Sequence, residues 1–112
     1  MRLYLAGPMT GQPEWGRPAF AAAAAQLRAA GHRVTNPGEL PLDLARPWED
    51  YLAETLWLIL ECQAVALLDG WEHSRGARLE VAWARRLGKP VAPVADWLAL
   101  REEAAGCAPS PS

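Results

Sequence analysis

The sequence predicts an α/β fold built on a parallel sheet, and three observations carry that prediction. Short apolar runs alternate with longer stretches whose apolar residues recur at helical spacing. Glycine and proline punctuate the junctions, and the order of the two kinds is strand, helix, strand, helix, strand, helix. A chain of 112 residues supplies one hydrophobic core and one domain.

Taken in order, Arg2 to Ala6 reads as a buried strand closed by Gly7-Pro8. After a loop rich in Gly and Pro, Pro18 suits a first helical turn, Phe20, Ala23, Ala24 and Leu27 supply the apolar stripe, and Gly31 suits the C-terminal cap. The alanine run Ala21 to Ala25 adds helix propensity. Arg33 to Thr35 fits a brief second strand, and the stretch from Asn36-Pro37-Gly38 to Arg46 fits a loop long enough to be a lid or pocket wall. Pro47 opens a second helix expected to reach about Glu61, Ala64 to Leu68 reads as a third strand, and Arg75 to Leu87 reads as a third helix closed by Gly88. Pro90 to Val94 fits a fourth strand, and Asp96 fits the cap of a short last helix. The expected domain spans residues 1–105, with 106–112 as a flexible tail. Together these elements predict a single-domain, three-layer, doubly wound sheet of four to five parallel strands, flavodoxin- or Rossmann-like, with helices on both faces.

Composition excludes several functions. A formal charge of −2 provides no basic field for polymeric nucleic acid. Cys62 and Cys107 lack metal-ligand spacing, and His32 and His73 stand apart from both, so neither a disulfide nor a metal is expected. No charged leader precedes an apolar stretch, and no apolar run approaches the ~20 residues that span a bilayer, so a cytoplasmic protein without a membrane partner is expected. Six tryptophans divide between core packing and interface or pocket walls.

The chemical clue is Glu80. In a helix starting near Arg75, successive residues advance about 100°. Arg78, Arg85 and Arg86 then share a solvated arc, while Leu79, Val81, Trp83, Ala84 and Leu87 spread across the other. Glu80 falls inside the apolar arc, between Leu87 and Ala84. A carboxylate there either snorkels to water, pairs with an arginine, or faces a cleft. The strand and small-residue loop just upstream favour the cleft, because open α/β sheets bind ligands at such junctions.

Two segments, Tyr4-Leu5-Ala6-Gly7-Pro8-Met9-Thr10-Gly11 and Ser74-x-Gly76-x-x-x-Glu80, together resemble the nucleoside 2-deoxyribosyltransferase superfamily. The likeness covers about residues 2–94 and is nearest to a small bacterial and phage branch of unknown function, sharing the Gly-Trp-Glu-x-Ser-x-Gly-Ala-x-x-Glu run, and to nucleoside 5′-monophosphate N-glycosidases. It implies that Glu80 is a nucleophile toward the anomeric carbon, trapping the sugar as a glycosyl ester that water hydrolyses or a second base accepts. Tyr4 would hold that carboxylate through its hydroxyl; its alternative is a buried strand aromatic. In that superfamily a serine at the Ser74 position goes with phosphorylated substrates, so Ser74 and Gly76 would take the phosphate at a helix N-terminus. Gly7, Met9, Thr10 and Gly11 would form the other wall, with Arg75 or Arg17 as counter-charge.

One departure matters. The superfamily usually carries an aspartate in the helix before the third strand, where it exchanges a proton with the departing base, and the corresponding residue here is Thr55. Asp50 and Glu54 share an arc with Trp57 and Glu61, away from the arc of Trp48, Tyr51, Thr55 and Ile59, and are expected to face solvent. Asp69, at the end of the third strand, is the expected substitute acid. Trp71 would stack on the base or simply pack.

These readings lead to cleavage of the N-glycosidic bond of nucleoside 5′-monophosphates by a homo-oligomer that needs no cofactor. The alternatives are a noncatalytic nucleotide-binding or sensing module and, behind it, a structural protein that uses its tryptophans for assembly.

Overall fold

The computed structural model describes residues 1–40 and 46–100. Four parallel strands, β1 (Arg2–Ala6), β2 (Arg33–Thr35), β3 (Ala64–Leu67) and β4 (Val91–Pro93), form one sheet in the order β2-β1-β3-β4. Four α-helices follow the strands: α1 (Arg17–Ala29), α2 (Trp48–Leu60), α3 (Arg75–Arg86) and α4 (Val94–Ala99). The chain leaves β1 toward β2 on one side and returns to β3 on the other. The sheet therefore reverses winding between β1 and β3, and the loops after those two strands emerge together.

Strand β1 sorts its residues by the two-residue period. Leu3 and Leu5 join Phe20, Ala23, Ala24 and Leu27 of α1, Ala64 and Ala66 of β3, and Trp97 of α4 in one buried cluster. Tyr4 and Ala6 join Ile59, Val65, Leu67, Val81 and Ala84 between the sheet and α2 and α3. Trp97 locks α4 down by donating its indole N–H to the carbonyl oxygens of Val65 (3.0 Å) and Ala92 (3.2 Å).

Helix ends follow local chemistry. Pro18 lies in the first turn of α1, and Gly31 takes a left-handed φ of 98° just past its end. Ser74 caps α3 by accepting from the Ala77 amide at 3.2 Å, Arg85 and Arg86 occupy its last turn, and Gly88 follows with φ 75°.

The structure corrects four details. The cap position of α4 is Pro93, so Asp96 lies inside the helix rather than capping it. Strand β3 ends at Leu67, one residue early, and β4 spans Val91–Pro93 rather than 90–94, its end set by Val94, which already begins the helix. Pro37–Glu39 forms a 3-10 turn where no secondary structure was expected, with Gly38 N–H donating to the Asn36 side chain at 2.8 Å. Leu79 and Leu87, assigned to the apolar arc of α3, are 41% and 37% exposed. The expected tail, 106–112, lies outside the described residues.

Candidate active site

Tyr4 and Glu80 meet at the base of the site because β1 turns Tyr4 toward the α2/α3 side and α3 presents Glu80 inward. Both are buried, and the Tyr4 hydroxyl donates to Glu80 Oε2 at 2.7 Å. Burial pushes the Glu80 carboxyl from an ordinary 4.5 up to about 7, against hydrogen bonding from Tyr4 and Thr55, which lowers it. The Tyr4 phenol rises well above its usual range through burial and the neighbouring Glu80 charge. The buried Thr55 hydroxyl donates to the Leu52 carbonyl oxygen at 2.9 Å. Having one proton, it serves either that oxygen or the carboxyl group.

Above this pair opens a cavity of about 300 Å³, at the small end of ligand-site volumes. The loop after β1 contributes Gly7, Met9 and Thr10, and α3 contributes Ser74, Gly76, Ala77 and Glu80. Gly7 is needed for a close approach: a Cβ there would stand 2.7 Å from Leu68 Cβ. The opposite wall is Trp48, Tyr51, Leu52 and Thr55 on α2, with Arg46 just before it and Trp15 from the β1–α1 connection. The Tyr51 hydroxyl donates to the Pro37 carbonyl oxygen at 3.2 Å, and burial followed by the Glu80 charge raises its pKa.

The polar end of the cavity is the start of α3. With Ser74 Oγ accepting from Ala77, the amides of Arg75 and Gly76 remain first-turn donors without an intrahelical acceptor. The Arg75 guanidinium lies 4.7 Å from the centre of the Trp48 ring, tying the start of α3 to the start of α2.

Of the residues singled out in the sequence, Gly7, Met9, Thr10, Ser74, Gly76 and Glu80 line the cavity, and Tyr4 supports Glu80 from beneath. Three do not line it. Asp69 is exposed: Leu68 turns into the α1-side cluster and Gly70 adopts a left-handed φ of 85°, which leaves Asp69 on a solvent-facing turn. Trp71 is half-buried against the Tyr4–Val81 cluster, so its ring packs rather than faces the cavity. Gly11 sits exposed on a turn with φ 83°. The two counter-charge candidates also lie off the lining. Arg75 covers Trp48, and Arg17 donates to the Leu40 carbonyl oxygen at 3.0 Å while its buried Nε has no partner.

The model of a domain of unknown function, DUF4406, matches residues 1–93. The chain belongs to the DUF4406 family. No curated protein matches it. The DUF4406 match contains every residue that lines the cavity, whereas α4 begins just beyond it.

Within this DUF4406 chain, sequence reasoning missed the aromatic wall. Trp48, Tyr51 and Thr55 were legible as one helical arc, and their common face was the available signal. Trp15 gave none. It reaches the cavity because Glu14 and Trp15 both take left-handed backbone angles, φ 51° and 58°, which no local sequence rule assigns to non-glycine residues. Arg46, which lines the cavity and pairs with Glu54 at 2.7 Å, was read only as a loop end.

Proposed function

We propose that this chain binds a nucleoside 5′-monophosphate and cleaves its N-glycosidic bond, with Glu80 as the nucleophile. The observation that carries the reading is a buried carboxyl group held by Tyr4 at the base of an aromatic-walled cavity whose far end is a helix N-terminus. The phosphate sits at the start of α3, against Ser74 and the Arg75 and Gly76 amides, where the helix dipole favours an anion. Glu80 lies six residue steps along α3 from its cap Ser74, a rise of ~9 Å, so a sugar phosphate lying along the helix presents its anomeric carbon to the carboxylate. Trp15, Trp48 and Tyr51 flank the base.

In the reaction, a Glu80 oxygen bonds to the anomeric carbon as the carbon–nitrogen bond breaks, and the base leaves with the electron pair. It takes its proton from solvent, because Thr55 stands where an acid is expected and Asp69 is exposed. Water or a second base then releases the sugar. A carboxyl with a pKa of about 7 is roughly half ionised at neutral pH, enough to act as a nucleophile. The reaction draws on no metal or organic cofactor. The same reading places the protein in the cytoplasm as a homo-oligomer; no helix among the described residues is long and apolar enough to cross a membrane.

Thr55 also favours a second reading, a noncatalytic nucleotide-binding or sensing module, since its proton is engaged by Leu52 and no proton relay to a leaving base follows from it. One experiment separates the two. Chromatography of free base after incubation with ribo- and deoxyribonucleoside 5′-monophosphates and the matching nucleosides should show release from monophosphates by the natural chain and none by Glu80→Gln. Equal release by both proteins removes Glu80 from the chemistry. Nucleotide binding without release selects the sensing module.

A further inference from the structure

The cavity holds a nucleophile but no acid to serve the group that leaves. Among the described residues that line it, Glu80 is the single carboxyl, and none is a histidine, cysteine or lysine. The two hydroxyls on α2 are engaged: Thr55 donates to the Leu52 carbonyl oxygen at 2.9 Å and Tyr51 to that of Pro37 at 3.2 Å. Asp69 is exposed and off the lining. Glu80 cannot fill the gap, because it must be ionised to attack. An uncharged base that departs with the bonding electron pair becomes an anion, and a positioned acid that protonates it contributes roughly 10²- to 10⁴-fold.

The wall that faces the leaving group is built for a different charge. Trp15, Trp48 and Tyr51 line it, and no described lining residue is an asparagine or glutamine that could read the hydrogen-bonding edge of a base. Aromatic rings attract cations, as they do at the rim, where the Arg75 guanidinium lies 4.7 Å from the centre of the Trp48 ring. The Glu80 charge reaches the same wall, since it is second only to burial in raising the pKa of Tyr51. Arg46, which also lines the cavity, is paired with Glu54 at 2.7 Å. A positively charged ring between Glu80 and the aromatic side chains would meet attraction from both sides.

Resting on the nucleotide-cleaving reading above, we propose that the substrate is an N-glycosidic 5′-monophosphate whose leaving group is a cationic heteroaromatic ring, a pyridinium or an N-alkylated purine. A Glu80 oxygen bonds to the anomeric carbon, the carbon–nitrogen bond breaks, and its electron pair neutralises the ring nitrogen. The ring therefore departs uncharged and takes no proton. Water next bonds to the anomeric carbon, Glu80 leaves as the carboxylate, and the surplus proton of that water passes to solvent. The ring's charge also favours the ionised form of Glu80, offsetting the burial that pushes its carboxyl up to about 7.

Two matched substrate pairs test this on the full chain, with free base measured by chromatography and the uncatalysed rate subtracted. The first is 7-methylguanosine 5′-monophosphate against guanosine 5′-monophosphate, which differ by one methyl group and one charge. The second is nicotinamide mononucleotide against cytidine 5′-monophosphate. The cationic member of at least one pair should show a kcat/KM about 100-fold or more above its neutral partner, and Glu80→Gln should abolish both. A site with a working acid would gain little from the methyl group, because it makes the same cation by protonating the ring. Preference for nicotinamide mononucleotide selects the pyridinium source, and preference for the methylated purine selects the other. Equal kcat/KM within both pairs overturns the cationic class and leaves nucleotide cleavage standing. Release from no member of either pair overturns both.

Discussion

Leu3 and Leu5 of β1 look into an apolar cluster whose Trp97 carbonyl oxygen meets the buried His32 ring, whereas Tyr4 and Ala6 of the same strand look into one that borders a carboxyl group. The α1 side is closed: Phe20, Leu27 and Ala24 are at most 1% exposed beneath α1 and α4. The α2/α3 side is left open at its top by a cavity and keeps Glu80 and Thr55 inside. Sheets of this kind thus divide labour by face. One face is packed chiefly by apolar side chains, and the other gives up some of that packing to hold a carboxyl group in low dielectric.

The largest difference should come from cutting into the closed face. Phe20→Ala removes a buried ring with no polar neighbour in its cluster and should cost about 3–5 kcal/mol. Urea unfolding should give the same loss at pH 5.5 and pH 8. A loss that changes with pH would mean that the Phe20 cluster is energetically coupled to a titrating group.

The open face should behave in the opposite way. Glu80 has a folded pKa of about 7 against an ordinary 4.5. Between those values the unfolded chain has released a proton that the folded chain keeps, so the unfolded state binds fewer protons and stability falls as pH rises. The stability is fully present below about 4.5, is lost progressively up to about 7, and is flat above, a difference on the order of 3 kcal/mol. Glu80→Gln keeps an acceptor for the Tyr4 hydroxyl and cannot ionise. It should abolish this slope and melt above the natural protein at pH 8. Parallel slopes in the two proteins would show that Glu80 is not the group that titrates.

The same contrast explains what could be read from the sequence. The closed face follows simple periods: Phe20, Ala23, Ala24 and Leu27 at helical spacing, Leu3 and Leu5 at strand spacing. Glu80 was legible because it broke a period, and Ser74 and Gly76 because they stood at a helix start. Asp69 was misplaced because proximity to the end of β3 says nothing about where the turn at Gly70 sends the chain. Trp15 was invisible because its position depends on two consecutive left-handed residues, held in place by tertiary contacts such as the close approach of Gly16 to Pro8, where a Cβ would meet the Pro8 carbonyl oxygen at 2.5 Å. The exposure of Leu79 and Leu87 belongs to the same class. A helical wheel gives an arc's composition, but not where along that arc the neighbouring helix stops.

The smallest expected effect, at Ser74, separates the structural and chemical duties of the open face. Ser74 Oγ accepts from the Ala77 amide, so its own proton remains available to a ligand oxygen. Ser74→Ala removes both functions and should lower stability by about 1 kcal/mol while reducing the preference for monophosphates over nucleosides. Ser74→Asp keeps a good cap and adds a negative charge beside the Arg75 and Gly76 amides, where a phosphate would otherwise sit. Its melting temperature should stay near that of the natural protein, yet nucleoside monophosphates should no longer raise it, and any base release should shift toward nucleosides. If Ser74→Asp binds monophosphates as well as the natural chain does, the phosphate lies elsewhere in the cavity, and the start of α3 serves only to begin a helix.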